Sequence, residues 1–195
     1  MSGKLMTAAV SALAGAAVAA LYTSTRRAPR AASRFALEPV PGERSGDYLA
    51  NAPAAITVHA EIPASPETVF AALVDESCFS WLPGVSGFHY ECAHRGVGTT
   101  RVLLNPAMTV REEFTVYEEG ARLDYTFTGS SLPMLKSAVE SYELQPLAAA
   151  STLLTVRVGM TPRLAAPGFV ARPLLRAFTE QAVRGLSRSV SAPVR

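Results

Sequence analysis

The feature that most constrains this chain is a change of hydrophobic period near residue 168. Upstream, apolar and polar residues alternate in short segments separated by turn signals, a pattern typical of antiparallel strands. From there to residue 190, apolar residues recur every four positions, and charged residues recur on the opposite side. This pattern predicts one long amphipathic helix that covers the concave face of a curved sheet and leaves a cavity between them. The predicted apolar stripe is Val170, Leu174, Phe178, Ala182, Leu186 and Val190.

The alternating segments predict an antiparallel meander of about seven strands. Ser65 and Pro66, after the first strand, are a typical N-cap and first helical residue, and a second helical turn is predicted around Cys78 and Trp81. The sequence therefore predicts an α+β domain in which two short helices follow strand one. The predicted strands cover 55–62, 85–91, 99–104, 109–117, 122–128, 137–144 and 152–160.

The N-terminal part of the chain has a different composition. Residues 5–22 carry no charge, and the run is about as long as the shortest membrane-spanning helix. Lys4 precedes the run and an arginine cluster follows it, so the positive-inside bias favours an uncleaved membrane anchor with a cytoplasmic domain. The alternatives are a cleaved signal peptide, which implies export, and a soluble or surface-lying alanine-rich helix. The cluster consists of Arg26, Arg27, Arg30 and Arg34.

These features divide the chain into four predicted parts. Residues 1–27 form the apolar membrane segment with its basic flank, and the Pro- and Gly-rich stretch 28–53 is predicted to be a linker. The ligand-binding domain is predicted over 54–190, followed by a short tail at 191–195.

Composition excludes several functional classes. The net charge of +2 comes from the arginine cluster beside a body of mixed sign, which does not indicate a nucleic-acid partner. Cys78 and Cys92 lack CxxC spacing, so free thiols are favoured over a disulfide. The three histidines are scattered, and we expect neither a metal site nor a cofactor.

Strand alternation selects candidate residues for the cavity face. Val110, Phe114 and Val116 place Glu112 on an apolar face, and Leu123 and Phe127 do the same for Tyr125. In the next predicted strand, Ala138, Glu140, Tyr142 and Leu144 would point inward. Two carboxyl groups in an apolar pocket suit acid–base chemistry or recognition of a ligand hydroxyl or amine.

Structural roles for the same residues stay open. Glu112 could pair with Arg101 on the neighbouring strand, and Glu140 could lie at a wet cavity mouth. Trp81 would either contact the ligand at the pocket entrance or simply pack there. Phe178, in the middle of the apolar stripe, is expected to face the sheet.

The order of these elements resembles the START/Bet v 1-like (SRPBCC) superfamily of helix-grip proteins, and in particular its polyketide cyclase/dehydrase and lipid-transport branch. The match spans about 54–190. The segments that carry the resemblance are IPASPETVF at 62–70, WLPGV at 81–85, GVGTTR at 96–101, REEF at 111–114 and RLDY at 122–125.

The resemblance implies a helix-grip fold with an internal cavity, whereas the chemistry has to be argued from the residues that line it. The first hypothesis is binding or transfer of a hydrophobic small molecule, such as a lipid, quinone or polyketide-like compound, at a membrane. The second is a cyclase or dehydratase that uses acid–base residues of the cavity. The residues proposed to contact the ligand are Trp81, Arg101, Glu112, Phe114, Tyr125, Glu140, Tyr142 and Phe178.

Overall fold

The computed structural model describes residues 30–148, 150–163 and 168–191. The helical elements are a 3-10 turn (Gly42–Arg44), α1 (Ser45–Asn51), α2 (Pro66–Leu73) and α3 (Gly168–Ser191). The strands are β1 (Phe35–Ala36), β2 (Ala54–Ile62), β3 (Phe88–Tyr90), β4 (Thr100–Leu103), β5 (Val110–Glu118), β6 (Arg122–Ser130), β7 (Leu135–Ala148) and β8 (Ser151–Pro162).

All strand pairs are antiparallel, and the sheet order is β2-β8-β7-β6-β5-β4-β3, with β1 added against β6. The long strands follow one another as a meander, while the first of them, β2, pairs with the last, β8. Helix α3 contacts β2 and α2. The α+β helix-grip architecture predicted from the sequence is therefore confirmed.

The short helical region is only half regular. Helix α2 begins as predicted, because the Ser65 hydroxyl accepts a hydrogen bond from the backbone N–H of Thr68 and Pro66 is the first helical residue. The second predicted helix is instead a series of i→i+3 turns, and Phe79 within it has a φ of 64°. The Glu119-Gly120 turn between β5 and β6 forms as predicted, with Gly120 at a φ of 71°.

The prediction of which β5 side chains point inward is correct only up to a β-bulge. Val110, Glu112 and Phe114 are buried on the same face. The register then shifts between Phe114 and Val116, and Tyr117 packs against Phe114 with ring centroids 5.9 Å apart. Val116 therefore does not share the face of Glu112, because one extra residue in a strand reverses the alternation beyond it.

The apolar stripe of α3 also differs from the prediction. Leu174 and Phe178 are 69% and 49% exposed, while Ala182 and Leu186 are buried. A strict four-residue repeat drifts about 40° per step around a helix of 3.6 residues per turn, so the early members rotate away from the sheet. The buried side of α3 is formed by Thr179, Ala182, Val183 and Leu186, and the side chain of Val170 lies outside the described residues.

The predicted linker over 28–53 requires correction, because from residue 30 onward it packs on the sheet. Strand β6 pairs with β7 only over 122–126, and β1 pairs with the end of β6, where the two strands have separated. The backbone N–H of Leu37 donates to Thr128 of β6, and that of Glu38 donates to Lys136 of β7. Val40 and Leu49 bury Val139 on the outer face of the sheet. Prolines and glycines here shape a folded strap instead of a flexible connection.

The membrane segment predicted over 1–27 lies outside the described residues and stays a prediction. No helix in the described part of the chain is long and apolar enough to cross a membrane. Both cysteines are free, with Cys78 buried and Cys92 partly buried. The described residues contain no cluster of His, Cys, Asp and Glu suited to a metal ion.

Candidate ligand cavity

A cavity of about 140 Å³ lies between the concave face of the sheet and the buried side of α3. Its walls are mainly apolar. Its titratable groups come from β5, β6 and β7, and Asn105 of the β4–β5 loop and Thr179 of α3 add two neutral polar side chains. The partly exposed lining residues, including Asn105, Met108, Met160 and Phe178, mark its opening. The other lining residues are Phe79, Leu82, Leu103, Val110, Glu112, Tyr125, Phe127, Glu140, Tyr142, Thr179, Ala182, Val183 and Leu186.

Glu112 is held by a buried ion pair. It lies opposite Arg101 in the β4–β5 register, and Arg101 Nε donates to Glu112 Oε2 at 2.8 Å. Arg101 is 1% exposed and Glu112 is 3% exposed. The carboxylate therefore compensates most of the charge that the arginine brings into the core.

The remaining contacts of Arg101 are also intramolecular. Its Nη1 atom donates to the carbonyl of Leu73 at 2.9 Å, at the end of α2. The guanidinium carbon lies 3.8 Å from the ring centroid of Phe88, 4.9 Å from that of Phe114 and 5.0 Å from that of Tyr125. This arrangement joins α2 to the sheet through cation–π and hydrogen-bonding contacts. Arg101 itself does not line the cavity.

Burial raises the pKa of Glu112 to about 7, although the Arg101 guanidinium acts to lower it. Arg101 stays charged at every physiological pH. Near neutral pH, the pair therefore changes charge through Glu112.

Glu140 has a different environment, formed by two tyrosines. Tyr125 lies opposite Glu140 in the β6–β7 register, and Tyr142 follows two residues later on the same face of β7. Both tyrosine hydroxyls lie 2.7 Å from Glu140 Oε2 and donate to it, and the two hydroxyl oxygens are 3.2 Å apart. The two rings stack with centroids 5.8 Å apart. These three residues are called the Tyr–Glu–Tyr cluster below.

The charge of Glu140 is stabilised by neutral donors. Burial raises its pKa above 4.5, while hydrogen bonds from Tyr125 and Tyr142 and the charge of Arg101 oppose that rise. Burial also raises the pKa of both tyrosines well above 10, so both hydroxyls keep their protons. Among the described residues, none donates a hydrogen bond to Glu140 Oε1.

The structure brings five of the eight predicted site residues to the cavity lining: Glu112, Tyr125, Glu140, Tyr142 and Phe178. Their role as ligand contacts stays a prediction. Phe178 lines the cavity from a half-exposed position at its opening, so it does not pack fully on the sheet as expected.

The other three predicted residues lie outside the lining. Arg101 and Phe114 support it from behind, in contact with each other. The indole of Trp81 fills the space above Gly185, where a Cβ would overlap the ring, and its Nε1 donates to the carbonyl of Ala182 at 3.1 Å. Trp81 thus fixes α3 to the turns after α2, which favours the packing role over direct ligand contact.

Several lining residues were missed by sequence reasoning. Thr179 and Val183 belong to the true 3.6-residue period of α3, which a strict four-residue count passes over. Asn105 and Met108 lie in the loop between β4 and β5, where no periodicity indicates a direction.

A protein-family model described as polyketide cyclase / dehydrase and lipid transport matches residues 53–191. The chain belongs to this family. The match begins beyond the strap at 30–51.

Solved structures similar to this family member show the same fold. A START superfamily protein from Mycobacterium smegmatis is 18% identical with a TM-score of 0.61, and the match covers 70% of this chain and 97% of that one. Ara h 8.0201 is 16% identical with a TM-score of 0.59, and the match covers 71% of this chain and 98% of that one. The ZhuI aromatase/cyclase from Streptomyces sp. R1128 is 16% identical with a TM-score of 0.57, covering 72% and 95%.

A comparison with curated proteins finds none that matches the sequence. Family and fold fit either hydrophobic ligand binding or polyketide cyclase-type chemistry. The cavity of this family member combines apolar walls with two carboxyl groups and two phenols, which suits a ligand with an apolar body and a polar end.

Proposed function

We propose that the protein binds or transfers a hydrophobic small molecule, of lipid, quinone or polyketide-like character, in the cavity between α3 and the sheet. The observation that carries this proposal is a space of about 140 Å³ whose wall is mainly apolar and carries a small set of polar groups, the Tyr–Glu–Tyr cluster among them. Transfer of apolar ligand surface from water contributes about 25 cal/mol per Å² to binding. Phe127, Val110 and Leu186 supply the walls for that contact.

A cavity-filling substitution tests the proposal. Ala182 lines the cavity, whereas Ala177 is exposed on the same helix, so Ala182→Phe and Ala177→Phe add the same side chain on opposite sides of α3. We expect native mass spectrometry of protein purified from its own host to find a co-purifying molecule with the wild type and with Ala177→Phe. Ala182→Phe should lose that molecule. Retention of it by a folded Ala182→Phe protein would contradict binding in this cavity.

The alternative proposal is an enzyme of the cyclase or dehydratase type. The Tyr–Glu–Tyr cluster favours it, because a carboxylate beside two protonated phenols can accept a proton from carbon while a phenol donates a hydrogen bond to the developing enolate oxygen. In a dehydration, the C–H and C–O bonds break as a C=C bond forms, and the proton that Glu140 takes from carbon passes to the leaving hydroxyl, which departs as water.

The two proposals differ in what happens to the bound molecule. A carrier returns it unchanged, whereas a dehydratase returns a product lighter by one water. Mass spectrometry of the released molecule, before and after incubation with wild type and with Glu140→Gln, separates the two. Loss of water with the wild type alone would favour the enzyme.

A further inference from the structure

We infer that the cavity selects a ligand whose buried end carries a neutral hydroxyl group, and that this hydroxyl donates a hydrogen bond to Glu140 Oε1. The inference rests on the proposed binding function and adds the chemical class of the ligand's polar end. It comes from the way the Tyr–Glu–Tyr cluster distributes its hydrogen bonds.

The first step is the unused acceptor. The hydrogen bonds from Tyr125 and Tyr142 both end on Oε2, at 2.7 Å each. An ionised carboxylate has about four lone-pair positions on its two oxygens, so it can accept further hydrogen bonds. Glu140 lines the cavity, and no described group donates to Oε1. A ligand donor at this end of the cavity would therefore meet a vacant acceptor.

The second step excludes an anionic ligand. Two carboxyl groups line the cavity, Glu112 and Glu140, whereas no Lys or Arg among the described residues does so. The nearest buried cation, Arg101, directs its hydrogen bonds to Glu112, Leu73 and Tyr90. A ligand carboxylate or phosphate at this end would lose its hydration and face two carboxyl groups without a cation among the described lining residues.

The third step favours a neutral donor over a cationic one. Desolvation of an ammonium group costs several kcal/mol, and a single buried carboxylate often fails to offset that cost. A hydroxyl loses less on leaving water and still makes a charge-assisted hydrogen bond to the carboxylate. The hydroxyls of Tyr125 and Tyr142 already solvate Glu140 in this way, and a ligand hydroxyl would extend the same network.

Cavity size sets the choice of probe. A cavity of about 150 Å³ with apolar walls binds benzene. The space here is of similar size, so single-ring molecules should enter without rearrangement. A matched series is 4-ethylphenol, ethylbenzene, 4-ethylbenzoate and 4-ethylbenzylamine, which share a ring and an ethyl group and differ at the polar end.

Isothermal titration calorimetry of the full chain with this series at pH 8 tests the inference. We expect 4-ethylphenol to bind about tenfold more tightly than ethylbenzene, as for one hydrogen bond to a charged acceptor. 4-Ethylbenzoate should bind more weakly than ethylbenzene. Equal affinities for 4-ethylphenol and ethylbenzene would overturn the inference and leave the proposed cavity function standing. Tightest binding by 4-ethylbenzylamine would also overturn it, in favour of a cationic ligand.

Three variants on β7 test whether Glu140 is the source of this preference. Glu140→Leu should bring the affinity for 4-ethylphenol down to that for ethylbenzene. The matched control Glu143→Leu removes a carboxylate that pairs with Arg157 and does not line the cavity, so it should keep the tenfold preference. Glu140→Gln keeps the side-chain volume and should reduce the preference without abolishing it. A preference unchanged in a folded Glu140→Leu protein would contradict the assignment to Glu140.

A different set of results would show that the proposed binding function itself is wrong. In that case ethylbenzene and 4-ethylphenol would bind neither the wild type nor Ala177→Phe, or they would bind Ala182→Phe as tightly as the wild type. Either result removes the cavity as the binding site, and the inferred hydroxyl selection falls with it.

Discussion

Glu112 and Glu140 face the same cavity, but the fold compensates their charges in opposite ways. Glu112 is paired with a buried guanidinium that also binds the end of α2. Glu140 is held by two neutral phenols and has one oxygen without a partner among the described residues. The carboxylate of Glu112 is therefore half of a structural ion pair, whereas that of Glu140 accepts hydrogen bonds only from uncharged hydroxyl groups.

The comparison shows why burial alone does not identify a functional acid. Burial raises the pKa of both groups, and in each of them only Oε2 accepts hydrogen bonds from the described residues. The difference is that the donor to Glu112 is a buried cation, which adds a large penalty for removing the carboxylate. Substitutions that remove one member of each arrangement should therefore separate the structural carboxylate from the binding carboxylate.

The largest effect is expected from Glu112→Leu at pH 8. The substitution leaves the Arg101 Nε–H without an acceptor and the guanidinium buried and charged, since it cannot release its proton. We expect a loss of about 3–5 kcal/mol in the free energy of unfolding, measured by urea denaturation. A loss below about 1 kcal/mol would mean that the Arg101–Glu112 pair stabilises the fold no more than an exposed salt bridge does. Glu112 would then not differ from Glu140 in its structural role.

Arg101→Met should destabilise the protein by a somewhat smaller amount, about 3 kcal/mol at pH 8. Here the group left behind is Glu112, which can take up a proton and become neutral. Because Arg101 acts to lower the pKa of Glu112, its removal raises that pKa further, and the folded state then binds the proton more tightly than the unfolded chain. The loss should therefore shrink as the pH falls from 8 to 5. A loss independent of pH would point instead to missing cation–π contacts with Phe88 and Phe114 as its main cause.

Much of this site could be predicted from local sequence. In β6, the alternation of apolar and polar residues predicted that Leu123, Tyr125 and Phe127 point into the core, and all three are buried. On β5 the same reasoning placed Glu112 correctly and failed at Val116, because a bulge depends on how two strands meet and leaves no periodic signal.

Other features depend on contacts between distant segments. The strap at 30–51 has the composition of a linker, yet it folds because β6 and β7 separate and leave backbone groups that need partners. The position of Trp81 depends on Gly185, which lies on another element far along the chain. The different environments of Glu112 and Glu140 also depend on contacts between strands. Glu112 lies opposite Arg101 of β4, whereas Glu140 lies opposite Tyr125 of β6.

Tyr142→Phe tests the hydrogen bonds that hold Glu140. The substitution removes one of two donors to the carboxylate, and hydrogen bonds to charged groups contribute about 1.5–3 kcal/mol. We expect a loss near the lower end of that range, about 1.5 kcal/mol, because Tyr125 still donates to the same oxygen. Tyr117→Phe on β5 is a suitable control, since its hydroxyl makes no hydrogen bond among the described residues and its loss should be close to zero. Equal losses in the two variants would show that the hydroxyl of Tyr142 does not stabilise Glu140.

The smallest change in stability is expected from Glu140→Gln, which should not show the loss caused by Glu112→Leu. Glu140 has a folded-state pKa above the unfolded value of 4.5, so between these two values the folded protein holds a proton that the unfolded chain has released. Its contribution to stability is therefore complete below pH 4.5 and is lost as the pH rises through the folded-state pKa. Replacement by an uncharged amide removes this term, and the fall in unfolding free energy between pH 5 and pH 8 should be smaller than in the wild type.

At pH 8 the variant should be as stable as the wild type or more stable, because no cation is left unpaired and the cost of burying the carboxylate is relieved. Urea denaturation at the two pH values measures both quantities. A loss at pH 8 as large as that of Glu112→Leu would make Glu140 a structural residue like Glu112, and the contrast between the two carboxylates would fail.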